Sequence, residues 1–239
     1  MRPVKSLKDK KVAIVGLGHS QIDFVIGLEN SVEYDEVWGI NSAAAAFQVD
    51  RLFMLDPASR FLDSDDAGRQ TDVMRKILPN LKVPIYSCEL DSRVPALVKY
   101  PVDEVINHAK CAYLNNTVAY ALAFAYWCKV GQLDLYGLDY SYKSNLHFAE
   151  AGRACVEFWI AKCMSENIVI GSSPKSTLLD QNVPLHERLY GYHRLPDPKV
   201  AMPTSDKWLV CNVSELPVKM AENGIEMPEQ ISSPEPYKG

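Results

Sequence analysis

Short runs of consecutive apolar residues alternate with helix-like patterns between Lys11 and Ile170. The runs are mostly continuous rather than interrupted at every second position, which is typical of strands buried on both faces of a parallel sheet. The strand candidates are Val12–Val15, Glu36–Ile40, Leu52–Leu55, Val83–Tyr86, Leu133–Tyr136 and Ile168–Ile170. The helix candidates are Ser20–Glu29, Ser42–Phe47, Asp66–Leu78, Thr117–Lys129 and Ala149–Glu166. The alternation predicts an α/β fold, with a mainly parallel, doubly wound sheet and helices on both faces.

The pattern loosens after Ile170, where prolines become frequent and periodic apolar positions become rare. We expect residues 1–180 to form the sheet domain and residues 181–225 to form a loop-rich C-terminal cap packed on it. Within the cap, Trp208–Val213 is a candidate late strand and Val218–Asn223 a candidate helical turn. Residues 226–239 lack the apolar side chains needed for packing, which predicts a disordered tail.

Composition narrows the class of protein. The 239 residues carry a formal net charge of -5, so no global basic field favours nucleic acid as a partner. No run of 18 apolar residues indicates a membrane span, and the first strand is too short for a signal-peptide core. A cytoplasmic location is therefore expected. The six cysteines form no CxxC pair and no metal-spaced cluster with histidine, which favours reduced thiols.

The loop GLGHS joins the first predicted strand to the first predicted helix. Gly16, Gly18 and Ser20 would allow a phosphate to approach the backbone N–H groups at a helix N-terminus. A full dinucleotide fingerprint would require glycine at position 21, which is Gln21, and an acidic residue after the second strand, which ends at Asn41. A standard dinucleotide site therefore fits poorly. The alternatives are a nucleotide near this loop and a purely structural tight turn.

Two further polar residues follow predicted strands. The amide of Asn41 could hydrogen-bond a base or a ribose, or the residue could simply cap the short alanine-rich helix. Asp56 ends the third strand, on the side of an open α/β sheet where ligands bind, although an aspartate before Pro57 is also common in turns.

The stretch from Asn115 to His147 contains a polar cluster, an apolar helix, a buried strand and a polar run that ends in histidine. Asn115 or Asn116 is a plausible cap for the helix. The order places polar residues where strand ends of a parallel sheet meet a ligand.

The polar run after the strand LDLYG has the residue types of a phosphate-handling site. The two tyrosines Tyr140 and Tyr142, beside Asp139, could orient a phosphate and donate protons to a leaving group, or the segment could form an aromatic loop packed on the sheet edge. His147, expected just before the last long helix, can act as a base near neutral pH, although a lone histidine is more often structural or exposed.

Taken in order, these motifs resemble a Rossmann-like superfamily of bacterial sialyltransferases, motility accessory factors and hydroxymethylpterin diphosphokinase-like proteins. The resemblance spans Val12 to Leu179 and rests on GLGHS, WGINS, LDP, NNT, LYGLDYSY, the following histidine and NIVIGSSPKSTLL. The segment from Asn115 to Leu179 is most similar to the sialyltransferases. Leu17 and His19 depart from the asparagine and proline usual there, which leaves the base and sugar of the donor open.

The resemblance implies a transferase that moves a group from a nucleotide-activated, CMP-linked donor to an acceptor hydroxyl. It implies His147 as general base, with Tyr140 or Tyr142 assisting the departing phosphate beside Asp139. The nucleotide-binding residues implied are Gly16, Gly18, Ser20, Asn41, Asn116, Thr117, Ser172 and Ser173. No metal or other cofactor is required for this chemistry.

Two alternatives stay open at this stage. A Mg²⁺-dependent diphosphotransferase of the pterin kinase-like type would use Asp56 and Asp139 as metal ligands. A non-catalytic nucleotide-binding protein would bind the nucleotide without turnover. The nucleotide-linked donor is the expected partner, a homo-oligomer is compatible with the sequence, and the acceptor is not readable from it.

Overall fold

The computed structural model describes residues 7–141, 145–189, 196–197, 199–204 and 207–225. A seven-stranded sheet, parallel throughout, has the spatial order β5-β4-β3-β2-β1-β6-β7. Its strands are β1 (Lys11–Val15), β2 (Glu36–Ile40), β3 (Arg51–Phe53), β4 (Ile85–Ser87), β5 (Leu97–Lys99), β6 (Gln132–Tyr136) and β7 (Val169–Ser172). This architecture confirms the predicted α/β class with a mainly parallel, Rossmann-like sheet.

Helices cover both faces of the sheet. The α-helices are α1 (Gln21–Glu29), α2 (Ser59–Leu62), α3 (Arg69–Ile77), α4 (Val102–Ala109), α5 (Thr117–Cys128), α6 (Leu146–Ser165) and α7 (Leu216–Glu222). Along β1, Val12 and Ile14 pack into the core that contains α4, α5 and α6, whereas Ala13 and Val15 pack against α1. The consecutive residues Val12–Val15 are therefore all buried, on alternating faces of the sheet, which explains a continuous apolar run.

Helix α5 is the buried centre of one layer. Nine of its twelve residues are buried, so it has no polar face. Phe124 packs against Trp38, Phe53 and Tyr86 of the central strands, with ring centroids 4.7–5.7 Å apart. This packing holds α5, and with it the helix N-terminus, in a set position relative to the carboxyl ends of the strands.

Several elements differ from the sequence-based predictions. The predicted helix Ser42–Phe47 is a 3-10 helix, Asn41–Ala45, and the helix expected from Ala149 begins at Leu146. His147 therefore lies inside α6 rather than before it. Strand β5 and helices α2 and α4 were not predicted. A helical signal was present for α4, because its apolar residues Val102, Val105, Ile106 and Ala109 are spaced for one helix face.

The chain divides into two compact units, residues 1–182 and 183–239. In the second unit, β8 (Lys199–Pro203) and β9 (Trp208–Asn212) form an antiparallel pair, and β9 corresponds to the predicted late strand. The predicted tail, residues 226–239, lies outside the described residues. All six cysteines are free. No helix in the described part of the chain is long and apolar enough to span a membrane.

Candidate functional site

A cleft of about 790 Å³ lies at the carboxyl edge of the parallel sheet. The loops that follow β1, β2, β3 and β6 line it, together with the first residues of α5 and part of the first two turns of α6. Its lining includes eight residues singled out from the sequence: Gly16, Gly18, Asn41, Asp56, Asn116, Thr117, Asp139 and Tyr140.

The strand order accounts for the cleft's position. The chain runs from β1 outward to β5 in one direction and then returns to place β6 and β7 on the other side of β1. The loops after β1 and β6 therefore leave the sheet next to each other at the point where the strand order reverses. Open α/β sheets bind ligands in the crevice at this switch point.

The loops after β1 and β6 fit closely together. The Gly16 N–H donates to the Tyr136 carbonyl, and the Gly18 N–H donates to the Gly137 carbonyl, both at 2.8 Å. A Cβ atom on Gly16 would lie 2.5 Å from the Gly137 carbonyl oxygen. Gly137 has a φ of +66°, and a Cβ there would lie 2.6 Å from the Gly16 carbonyl oxygen. Glycine is thus needed at both positions because the two backbones touch.

Ser20 and Asp139 complete this contact. The Ser20 N–H donates to Asp139 Oδ2 at 2.7 Å, and the Ser20 hydroxyl donates to Oδ1 of the same carboxylate. Ser20 Oγ also accepts from the Gly137 N–H at 2.8 Å. Ser20 is fully buried and Asp139 is 6% exposed. Both carboxylate oxygens of Asp139 therefore accept hydrogen bonds that join the two loops, and Ser20 lies behind the cleft wall rather than in it.

The N-terminus of α5 faces the cleft. Asn116, in extended conformation, caps the helix by accepting from the Ala119 N–H at 3.1 Å. The N–H groups of Thr117 and Val118, which also line the cleft, have no hydrogen-bond acceptor among the described residues. Free N–H groups at a helix start attract anions, and the helix dipole favours negative charge there.

Tyr140 is fixed beside this helix start. Its hydroxyl donates to Asn116 Oδ1 at 3.0 Å, and its backbone has a φ of +43°. The ring packs so closely on α6 that a Cβ on Gly152 would lie 2.7 Å from Tyr140 Cε1. These contacts hold the Tyr140 phenol next to the free N–H groups of Thr117 and Val118.

Asn41 has a side-chain oxygen that accepts no hydrogen bond from the described residues. It starts the 3-10 helix after β2 with a φ of +50°. Its Oδ1 atom is buried and has no partner among the described residues, although the residue lines the cleft. A buried carbonyl oxygen without a donor is unfavourable, so this atom is suited to accept a hydrogen bond from a bound ligand.

The wall of the cleft after β3 carries the charged residues Asp56 and Arg60, of which the sequence indicated only Asp56. Asp56 Oδ1 accepts from Arg60 Nη1 at 2.5 Å, and this hydrogen bond raises the pKa of Arg60. Arg60, Gln70, His19 and Phe148 line the cleft without having been predicted as site residues. Arg60 and Gln70 could have been suspected only from the α2–α3 arrangement, because no motif includes them.

The other predicted site residues lie elsewhere. His147 is exposed in the first turn of α6 and does not line the cleft, although its neighbour Phe148 does. Ser172 and Ser173, at the end of β7, are not among the lining residues either. The Ser173 hydroxyl instead donates to Asp23 of α1. Tyr142 lies outside the described residues.

The described residues contain no group of three or more His, Cys, Asp and Glu side chains that could hold a metal ion. Asp56 and Asp139 each contact the chain itself, through Arg60 and Ser20 respectively. A bound Mg²⁺ would have to compete with these contacts for the carboxylate oxygens.

The site therefore combines a switch-point cleft, free N–H groups at a helix start, a fixed phenol and an unpartnered amide oxygen. In the comparisons with known proteins, no family model, no curated protein and no solved structure matches this chain.

Proposed function

We propose that the cleft binds a nucleotide-activated donor and that the protein transfers the activated group to an acceptor hydroxyl. The class is a glycosyltransferase of the sialyltransferase-like type suggested by the sequence motifs. The observation that carries the proposal is the pair of free N–H groups of Thr117 and Val118 in a cleft at the sheet's switch point. This combination suits the phosphate of a nucleotide.

The charges of the cleft favour a donor with few phosphate charges. Among the described lining residues, Arg60 is the single lysine or arginine, and it is already paired with Asp56. Asp139 adds a second carboxylate. A donor with one phosphate, such as a CMP-linked sugar, needs less compensating positive charge than a nucleoside triphosphate does. The same consideration supports glycosyl transfer over diphosphate transfer.

In the proposed reaction the acceptor oxygen attacks the sugar carbon that bears the phosphate, and the bond from that carbon to the phosphate oxygen breaks. The electron pair remains on the phosphate oxygen, whose charge the N–H groups of α5 stabilise. Tyr140 or Tyr142 donates a hydrogen bond to the departing phosphate, Tyr140 by turning its hydroxyl from Asn116 Oδ1 to the phosphate oxygen. Asp139 serves by holding the loop after β6 in place. His147 lies outside the lining but adjoins the lining residue Phe148, and it removes the proton of an acceptor bound at the rim of the cleft.

The experiment that tests the proposal compares His147→Ala with the wild-type protein. Because proton removal is lost while the cleft lining is intact, we expect transfer to fall at least about 100-fold and the Kd for CMP to be unchanged. Transfer of a radiolabelled group from the donor measures turnover, and calorimetry measures the Kd for CMP.

His108→Ala is the matched control, because His108 is an exposed histidine of α4, a helix that contributes no residue to the described lining, whereas His147 adjoins the lining residue Phe148. Unchanged turnover of His147→Ala would exclude His147 as the base. Loss of wild-type activity on chelation of divalent metal would favour diphosphate transfer instead. Nucleotide binding without any product would identify a binding protein.

A further inference from the structure

The wall of the cleft after β3 differs chemically from the wall at α5. Asp56 follows β3, and Arg60 belongs to α2, one helical turn later. Their ion pair lines the cleft, and Arg60 Nε also donates to Asp66 at 3.3 Å, outside the lining. The charges of Asp56 and Arg60 cancel each other, so this wall carries no net charge to attract a phosphate.

Both members of the ion pair have a hydrogen-bonding atom without a partner among the described residues. Arg60 has five N–H donors, and within the described residues its Nη2 atom makes no hydrogen bond. Asp56 Oδ2 likewise has no hydrogen-bond partner within residues 7–141 or the other described ranges. The Asp56 side chain is 31% exposed and the Arg60 side chain 41% exposed, so a ligand in the cleft can reach both.

Two uncharged groups extend this wall. Asn41 Oδ1 is the buried oxygen without a donor, and the Gln70 amide lines the cleft. The Ser42 hydroxyl lies 3.5 Å from Gln70 Oε1, which orients the amide. The wall thus presents acceptors from Asp56 and Asn41 beside donors from Arg60 and Gln70.

We propose that this wall binds the vicinal hydroxyl groups of a sugar ring. Each hydroxyl both donates and accepts, so one can donate to Asp56 Oδ2 while its neighbour accepts from Arg60 Nη2. Such hydrogen bonds to charged groups are the stronger ones in proteins. A phosphate would instead be repelled by the Asp56 carboxylate. The diol belongs either to the ribose of the nucleotide or to a pyranose of donor or acceptor, and the ribose assignment rests on the proposed function.

The test measures binding of three probes by calorimetry: CMP, 2′-deoxy-CMP and methyl β-galactoside. If the ribose occupies the wall, the wild type binds CMP about 10- to 100-fold more tightly than 2′-deoxy-CMP. Asp56→Asn and Arg60→Gln then reduce this ratio to about 1–3. If a pyranose occupies it, the two nucleotides bind alike and both variants weaken the galactoside instead.

Asp66→Asn is the matched control, because it removes the other carboxylate partner of Arg60 without altering the cleft lining. Asp66→Asn should preserve the affinity ratios that the wild type shows for the three probes. Thermal unfolding confirms that each variant is folded. The inference is overturned if Asp56→Asn and Arg60→Gln leave all three affinities within about twofold. Calorimetry with UMP as an additional nucleotide provides a further check: variants that change only the preference for CMP over UMP would also overturn the inference, because that would identify a base edge.

These outcomes separate this inference from the proposed function. If the wild type binds nucleotide but neither variant changes nucleotide or galactoside binding, the diol wall is excluded and the transferase proposal stays intact. If the wild type binds no nucleotide but binds the galactoside in a way that depends on Asp56, the diol wall stands and the transferase proposal fails. If the wild type binds none of the three probes, both proposals fail.

Discussion

Because Gly18 has no side chain, there is space beside it for the Asp139 carboxylate. A Cβ at position 18 would lie 2.5 Å from Asp139 Oδ2, and that oxygen accepts the Ser20 N–H. The carboxylate cannot move aside without breaking the hydrogen bonds to Ser20 that join the loops after β1 and β6. At the scale of single residues, the glycines of the first loop therefore have a structural role that is independent of any ligand.

We expect Gly18→Ala to lower the free energy of unfolding by about 1–3 kcal/mol, the range for an overpacked site. Denaturant unfolding followed by circular dichroism measures it. Gly27→Ala in α1 is the control, because its Cβ would meet only Val32 at 3.8 Å. That change should be neutral or stabilising by up to about 1 kcal/mol, since alanine favours a helix. Equal stability of wild type and Gly18→Ala would contradict the packing argument.

The loop motif illustrates what single residues reveal before folding. The sequence predicts Gly16, Gly18 and Ser20 as residues of interest, and the two glycines do line the cleft. It does not reveal that Ser20 is buried against Asp139, because the two are 119 positions apart and only the sheet brings them together. The contribution of Arg60 was equally hidden, since it depends on how a four-residue helix follows β3.

At the scale of elements, helix α5 connects the core to the site. Its buried, aromatic-anchored body fixes the position of the N–H groups that face the cleft, and Asn116 holds the first turn. Asn116 also accepts from Tyr140 and reaches the Gly152 carbonyl, so it links α5 to both the loop after β6 and α6.

Substitutions of Asn116 should separate capping from anion binding. Asn116→Ala removes the cap and is expected to destabilise the protein by about 1–2 kcal/mol. Asn116→Asp retains an acceptor for Ala119 but turns a carboxylate oxygen toward the Gly152 carbonyl, so it should destabilise the protein to a similar extent. Its negative charge should in addition weaken CMP binding at least about tenfold. Unfolding and calorimetry measure the two effects. CMP affinity unchanged in Asn116→Asp would place the phosphate away from α5.

A bidentate ion pair joins β2 to β3. Arg51 donates from Nε and Nη2 to the Glu36 carboxylate at 2.6 and 2.9 Å, and both side chains are largely buried. Burial alone would raise the pKa of Glu36, but the hydrogen bonds from Arg51 and Trp38 outweigh it and hold the pKa below its ordinary value. The stabilisation is thus complete above about pH 4.3 and is lost as the pH falls through the folded-state pKa.

Glu36→Gln should therefore lower the free energy of unfolding by about 1.5–3 kcal/mol at pH 7, the value for hydrogen bonds to charged groups. The difference from wild type should shrink as the pH falls below about 4.3. Urea unfolding over pH 3–7 measures it. A difference that is constant over this range would show that the charge of Glu36 does not contribute.

At the scale of the whole molecule, all described lining residues of the cleft fall between Gly16 and Gly152. They lie within the first compact unit, which also contains all seven parallel strands. We therefore expect a chain that ends at Asn182 to fold and to bind CMP with a Kd within about threefold of the full chain. Calorimetry on both proteins measures this, and loss of binding in a folded shortened chain would show that residues 183–239 contribute to the site.

The fold as a whole was predictable because continuous apolar runs specify buried parallel strands, and β1, β2 and β6 match their predicted positions closely. Short elements were not: β5 has three residues, two of them exposed, and carries little apolar signal. The start of α6 was misjudged by three residues, because the apolar residues Leu146 and Phe148 are exposed and do not continue the buried face of the helix.

The interlocked loop after β1 has a consequence for how the protein can change. The N–H groups of Gly16, Gly18 and Ser20 donate to the last residue of β6 and to the loop after it, whereas Leu17 and His19 between them are exposed and line the cleft. Positions 16, 18 and 20 thus hold the loop in place, whereas positions 17 and 19 can vary. Mutation at positions 17 and 19 can retune ligand preference while the framework stays intact, so this short loop is the natural place for evolution, or a directed library, to diversify the protein.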